Sequence, residues 1–250
     1  MMILLEQVED VAIIKLNRNI TNAIGPDLVE ALMTTLQSVE NDPEINGLVL
    51  TSANTKFFSI GFNIPELYDA EKEVFARFFQ SYVRLLRYLF TFPKPIVAAV
   101  TGHATAGGCF LALCCDYRYI AEGKKMMGIN EIKLGVPAPY VGDCILRALV
   151  GFRNARDVLD SGDLYQPEAL IHRGLVDKVL PLEQVLPAAV EKAALIGSMP
   201  PRAYAVIKRD RVEPVEEEIM GRLAQKDKMF VECWYSEAAR LKLKEAMQKF

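Results

Sequence analysis

Three short stretches of this sequence bring together residue types that can do chemistry. Asn130-Glu131 lies between the apolar runs Met126-Met127-Gly128-Ile129 and Leu134-Gly135-Val136-Pro137. A carboxylate with apolar neighbours on both sides can be partly buried, and burial raises its pKa toward the range of a general base. The same spacing also suits a surface glutamate at the start of the next helix. Ala106-Gly107-Gly108 is a small-residue turn leading from an apolar strand into an apolar helix. A helix N-terminus leaves N–H groups unpaired and partly positive, and glycine lets a ligand oxygen approach them. Tight strand–helix packing is the competing reason for the glycines. The third stretch, Ser59-Ile60-Gly61-Phe62-Asn63, follows a strand, where a glycine turn either exposes backbone donors or is a plain loop.

Other catalytic chemistries have little to work with. The two histidines, His103 and His172, are far apart, and the five cysteines form no CxxC pair. Imidazole or thiolate metal sites are therefore not expected, nor is HExxH present. Gly102, Gly107 and Gly108 do not fit a GxGxxG dinucleotide fingerprint. Carboxylates and backbone groups must carry whatever reaction occurs. The cysteines read as reduced, buried thiols.

The elements that must position these residues alternate in type. Val11–Leu16 reads as a buried strand, and Gly25-Pro26 opens a helix whose apolar face is Leu28, Ala31, Leu32, Leu36 and Val39. Asn41-Asp42-Pro43 ends it, and Gly47–Thr51 is the next strand, so a parallel β-α-β unit is expected. Ser52 to Asn63 reads as a loop, about Glu71 to Leu89 as a helix, and Ile96–Val100 as a third buried strand. Cys109–Cys115 is then helical and Asp116–Ile120 extended. The second half reads as helices at 141–149, 155–161 and 183–196, a strand at 175–179, and an amphipathic tail from Val215 to Met247. An α/β class follows.

At 250 residues, with 51% hydrophobic and 24% charged residues, the chain has ordinary globular composition. Its net charge of −3 argues against nucleic acid or an anionic membrane as the main partner. No apolar run approaches the roughly 18–20 residues of a membrane span. The N-terminus reads as neither signal nor transit peptide, and Gln248-Lys249-Phe250 is no peroxisomal address, so a cytoplasmic location is expected.

Taken in order along the chain, these features resemble the crotonase (enoyl-CoA hydratase/isomerase) superfamily. Leu16-Asn17-Arg18-Asn19-Ile20-Thr21-Asn22-Ala23-Ile24 is similar to its LNRPxxNAL segment, with Asn19 where proline is usual. Phe57-Phe58-Ser59-Ile60-Gly61-Phe62-Asn63-Ile64 resembles the FSAGxDL loop, with Asn63 in place of aspartate. Pro95–Val100, Ala106–Cys109 and Cys115–Arg118 resemble the longest signature of the family.

The resemblance implies a spiral of ββα units over residues 1–195 and a C-terminal helical subdomain at 196–250 for trimerisation or as a lid. It also implies a homotrimer or dimer of trimers, a coenzyme A thioester as ligand, and no separate cofactor or metal. The N–H groups of Phe62 and Gly107 would form an oxyanion hole. Ala23, Ile24, Ile60, Gly61, Asn63 and Ile64 would line the substrate path, with Phe110 beside them. Hydratases of the family carry two glutamates; here the first position is Phe110 and the second is Glu131. Together with Leu134-Gly135 and Ala138-Pro139-Tyr140, this looks most like the single-glutamate Δ3,Δ2-enoyl-CoA isomerases. A decarboxylase or thioester hydrolase of the same superfamily, and a non-catalytic acyl-CoA-binding protein, are the alternatives. Asp143 and Glu66 are the acids that could stand in for the missing one. The aromatic tail, Phe230, Trp234 and Tyr235, is expected to pack on its own core, against a neighbouring subunit or over the acyl pocket.

Overall fold

The computed structural model describes residues 1–248. Strands β1 (Ile3–Val8) and β2 (Val11–Leu16) form an antiparallel hairpin. Helix α1 (Pro26–Asn41) then crosses to β3 (Gly47–Ser52), which is parallel to β2 as the β-α-β pattern requires. After β3 the chain enters a second sheet through β4 (Phe57–Ser59), inside the stretch expected to be only loop. Two apolar residues, Phe57 and Phe58, were enough for a strand because β6 (His103–Thr105) lies alongside to pair with it.

The alternation repeats. Helices α2 (Ile64–Leu67) and α3 (Lys72–Thr91) lead to β5 (Ile96–Val100), β6, and α4 (Gly107–Leu113). Then come β7 (Tyr117–Ala121), β8 (Met127–Gly128) and a 3-10 turn at Glu131–Leu134. With β9 (Leu164–Tyr165) and β10 (Lys178–Leu180) from further along the chain, the result is a six-stranded sheet in the order β1-β2-β3-β5-β7-β10 and a four-stranded sheet in the order β4-β6-β8-β9. Strands leave the first sheet, enter the second, and return through a helix, which is the expected spiral of ββα units.

Both faces of the large sheet are covered, so its strands read as continuous apolar runs rather than alternating ones. Ala12, Ile14, Leu48, Leu50, Ala98 and Val100 face the main core with α1, α3 and α4. Val11, Ile13, Val49, Val97 and Ala99 face Val185, Ala189 and Ala193 of α7 (Leu182–Gly197). The exposed edge strand β1 carries a weaker signal, since most of its side chains meet solvent.

The second half departs from the expected boundaries. The two helices read at 141–149 and 155–161 are present as the two arms of α5 (Tyr140–Ser161), separated at Gly151, whose φ 74° and ψ 162° are not helical. Strand β9 (Leu164–Tyr165) and helix α6 (Pro167–His172) follow. The strand expected at 175–179 lies at β10 (Lys178–Leu180), because Leu175 and Val176 are used to bury the approach to it. The tail begins well before Val215: α8 runs from Pro201 to Trp234, and α9 from Glu237 to Met247. Ser236 caps α9 by accepting from the Ala239 N–H. Ile219, Phe230, Trp234, Ala239 and Leu243 join the same core as the strands. Lys249 and Phe250, the end of the segment expected at 196–250, lie outside the described residues. No helix among the described residues is long and apolar enough to cross a membrane.

Candidate active site

Strands β4, β6 and β8 are parallel neighbours in the small sheet, and all three point their carboxyl ends the same way. The three chemically interesting stretches follow directly from those ends. Phe62 comes after β4, Gly107 after β6, and Glu131 after β8. They border one cavity of about 710 Å³, together with Ile60, Ile64, Thr105 and Asn130. Carboxyl ends of parallel strands are where loops are free to diverge and hold a ligand.

The Gly61 turn is built by a tightly bonded scaffold. Ile24 and Phe62 form an isolated parallel bridge, with Ile24 N–H donating to the Gly61 carbonyl at 2.7 Å and Asn63 N–H to the Ile24 carbonyl at 2.9 Å. Asn22, fully buried with φ 47°, donates its amide to the Ser52 hydroxyl and the Phe58 carbonyl. Ser59 donates to the Asn22 carbonyl at 2.8 Å and accepts from the Gly61 N–H at 3.2 Å. This leaves the Phe62 N–H with no acceptor among the described residues. The sequence marks Asn22 only as part of a motif; its bonds to β3 and β4 could not be read from the chain.

The second turn sits against the first. Gly61 has φ +90°, and a Cβ there would lie 2.9 Å from Ala106 Cβ and 3.0 Å from the Gly107 nitrogen. Ala106 holds φ 50°, ψ −129°, a region costly for an L-residue, and thereby starts α4. Tyr82 donates its hydroxyl to the Gly107 carbonyl at 2.7 Å, while the Gly107 N–H meets no acceptor among the described residues. Gly108 is glycine for packing: a Cβ would lie 2.3 Å from the Ser59 carbonyl. Both reasons offered for the glycines therefore apply, one to each.

Glu131 is buried at 6% exposure, so it is no surface cap. Burial pushes its pKa up to about 8, against the opposing pull of the Asn130 and Glu131 backbone N–H groups. Its Oε2 has no hydrogen-bond partner, and neither has Asn130 Oδ1 beside it. A buried carboxylate and two free N–H donors on one apolar cavity can bind a polarised oxygen and move a proton next to it.

The other expected site residues are placed less directly. Ala23, Ile24, Gly61 and Asn63 do not border the cavity; they form the scaffold behind it. Phe110 is fully buried in α4 and packs against α5, where a Gly142 Cβ would come 2.4 Å from its ring, and it is not among the residues that border the cavity. Glu66 is held by Arg18 at 2.7 Å and by Asn63 at 2.5 Å, and Asp143 by Arg147 at 3.2 Å. Neither acid borders the cavity.

Phe230 and Trp234 have a place over the pocket as one of three expected alternatives, while several other cavity residues carry no sequence signal. Lys56, Lys133 and Lys242 stand on its rim, as does Glu245, which is 62% exposed and paired with Lys242 at 3.0 Å. The α8 residues Phe230 and Trp234 close its inner end, and Ala246 of α9 borders it too. They come from opposite ends of the chain from Phe62, so only folding reveals the pairing.

An α/β spiral with such a site defines a protein class, and comparison with known proteins agrees. Residues 6–250 match the family model described as enoyl-CoA hydratase/isomerase. The chain belongs to that family. It is similar to enoyl-CoA delta isomerase 1 of Mus musculus mitochondria, at 35% identity over 176 residues. That match covers 70% of this chain and 61% of the mouse protein. It is also similar to a short-chain-enoyl-CoA hydratase of Clostridium acetobutylicum, at 30% identity over 99% of this chain and 94% of that one. Among solved structures, human mitochondrial delta3-delta2-enoyl-CoA isomerase superposes with a TM-score of 0.96 at 26% identity. That superposition covers 100% of this chain and 98% of the human one.

Proposed function

We propose that this protein is an enoyl-CoA isomerase that shifts a double bond from position 3 to position 2 of a CoA thioester. The observation that carries the reading is Glu131, the single buried carboxylate bordering the cavity among the described residues. In a 3-enoyl thioester the C2 proton is both α to a carbonyl and allylic, so one carboxylate suffices to remove it. Glu131 takes that proton, and the electron pair delocalises over the dienolate. The negative oxygen rests on the Phe62 and Gly107 N–H groups, each supplying roughly 3 kcal/mol. Glu131 then delivers the proton to C4, the new bond lies between C2 and C3, and the base is regenerated. The balance closes on one residue and needs no cofactor.

The hydratase relatives supply the competing reading. Hydration requires a water held and activated at C3, which a pair of carboxylates does well. Here Phe110 stands at the family's first glutamate position, and Glu245 is an exposed, lysine-paired rim residue. The lysines on the rim suit the phosphates of a CoA moiety. The test is direct: purified protein is mixed with a 3-enoyl-CoA and the absorbance of the conjugated thioester is followed. Formation of that product, abolished by Glu131→Gln with CoA-ester binding retained, is expected. An active Glu131→Gln variant overturns the reading.

A further inference from the structure

The inner end of the cavity is a box with three different walls. Its floor is aromatic and two rings deep. Phe230 and Trp234 of α8 border the cavity, and behind them stand Phe79 and Phe75 of α3. The stacking is close, with centroids 3.9 Å apart for Phe79–Phe230 and 4.4 Å for Phe75–Trp234, both nearly parallel. Phe62, whose N–H is one of the two donors, sets its ring edge-on to both Phe230 and Trp234. The aromatic floor therefore begins one ring away from the oxyanion site.

The side wall is the segment after Glu131, with Leu134, Val136 and Pro139. The roof is α9, which brings Ala246 to the cavity. It lies so close on the 3-10 turn that a Cβ at Gly135 would come 3.0 Å from the Ala239 Cα. Arg240 holds it there, stacked 3.3 Å from the Tyr68 ring and donating to the Tyr68 carbonyl. The Tyr235 hydroxyl adds a bond to the Ala70 carbonyl at 2.6 Å.

Such walls do not yield to a growing alkyl chain. Phe75, Phe79, Phe230 and Trp234 are all at most 3% exposed, and interlocked aromatic rings have no empty rotamer to move into. From this box we infer that the acyl pocket is blind and short, so that the protein takes short-chain enoyl-CoA thioesters and excludes long-chain ones. Trp234 is the residue that sets the limit. This rests on the reading of the cavity as an enoyl-CoA site, but it concerns fit and not the chemical step. Trp234 is also well suited to probing, since its Nε1–H has no acceptor to strand when the ring is shortened.

Two measurements separate this inference from the proposed reaction. Binding is measured by calorimetry with saturated hexanoyl-CoA and dodecanoyl-CoA, for which no isomerisation is possible. At least tenfold weaker binding of the longer ester is expected; equal or tighter binding overturns the blind pocket, whatever the catalytic result. Turnover is then compared for 3-hexenoyl-CoA and 3-dodecenoyl-CoA. If neither is isomerised, the catalytic reading fails while the binding order still decides the pocket. In Trp234→Leu the ratio of long-chain to short-chain binding should rise at least fivefold. Should that variant not fold, as judged by its melting curve, Phe230→Leu replaces it. A folded variant with an unchanged ratio removes these aromatics as the limit.

Discussion

The Ala106 amide donates to the Gly128 carbonyl at 2.9 Å, joining the turn that presents Gly107 to the strand that presents Glu131. The segments carrying Gly107 and Glu131 are thus braced against each other by a backbone bond, with no side chain between to relax. The Gly61 turn presses on the same point from the other side. Gly61→Ala would add a methyl group at φ +90°, within 3.0 Å of Ala106 Cβ and the Gly107 nitrogen. It should push the two donor loops apart, lowering kcat about 100-fold and stability by about 1–3 kcal/mol. Urea melts and steady-state rates measure the two effects separately, and rates that are unchanged would show that the loops can part without losing the donors.

The proton affinity of Glu131 has two consequences of opposite sign. As a base it must be ionised, so kcat/KM should rise with pH and level off above about 8. For stability, the folded state keeps a proton that the unfolded chain releases at the ordinary carboxylate value of 4.5. The stability so contributed is complete below that value and is lost as pH rises through about 8. Glu131→Gln should therefore melt higher than the parent at alkaline pH, with a shallower loss of stability on going up from acid. Asp227, also raised by burial, to about 6, leaves a residual slope in both proteins. Paired thermal melts across this range check the sign.

Hydration should be poor. The inward acid that would help Glu131 orient a water is missing, since Glu66, Asp143 and Glu245 are each occupied by a cation or amide partner. With 2-enoyl-CoA as substrate, loss of the conjugated absorbance should be at least 100-fold slower than its appearance from the 3-enoyl ester. Comparable rates would require a second acid and end the single-base mechanism.

Helix α8 is pinned to the sheet by a buried ion pair. Lys208, 2% exposed, reaches Asp116 at 2.7 Å, and the same carboxylate accepts from the Ile96 N–H and from Arg211. Removing one partner leaves a poorly compensated buried charge, so Lys208→Met should cost about 3 kcal/mol. Asp116→Asn with Lys208→Met together should cost less than the two single changes summed, which chemical denaturation of all four proteins would measure.

The family resemblance leads us to expect a homotrimer or a dimer of trimers. Light scattering at low protein concentration is the check, and a clean monomer is the result that refutes it.

How much of this was written in the chain follows from where each signal resides. The alternating strands and helices, and the order of the motifs around Asn22, Gly61, Gly107 and Glu131, are local properties. Buried strands such as Val11–Leu16 and Ile96–Val100 announce themselves because both faces are covered, which demands an unbroken apolar run. Short strands such as β4 and β8 carry no such run and exist only because a neighbouring edge is there to pair with them. The candidate base was legible in one residue, but its burial was not: desolvation depends on what surrounds Glu131, and the covering α9 lies over a hundred positions away in sequence. Phe110 gives the converse case. Its position in the motif suggested a place beside the substrate, while its packing on Gly142 of α5 depends on how two helices meet, which the motif does not record. Among the three places the sequence left open for the aromatic tail, tertiary structure decided, because Phe62, Phe75 and Trp234 meet only when α3 and α8 pack, and no local pattern records which rings will stack.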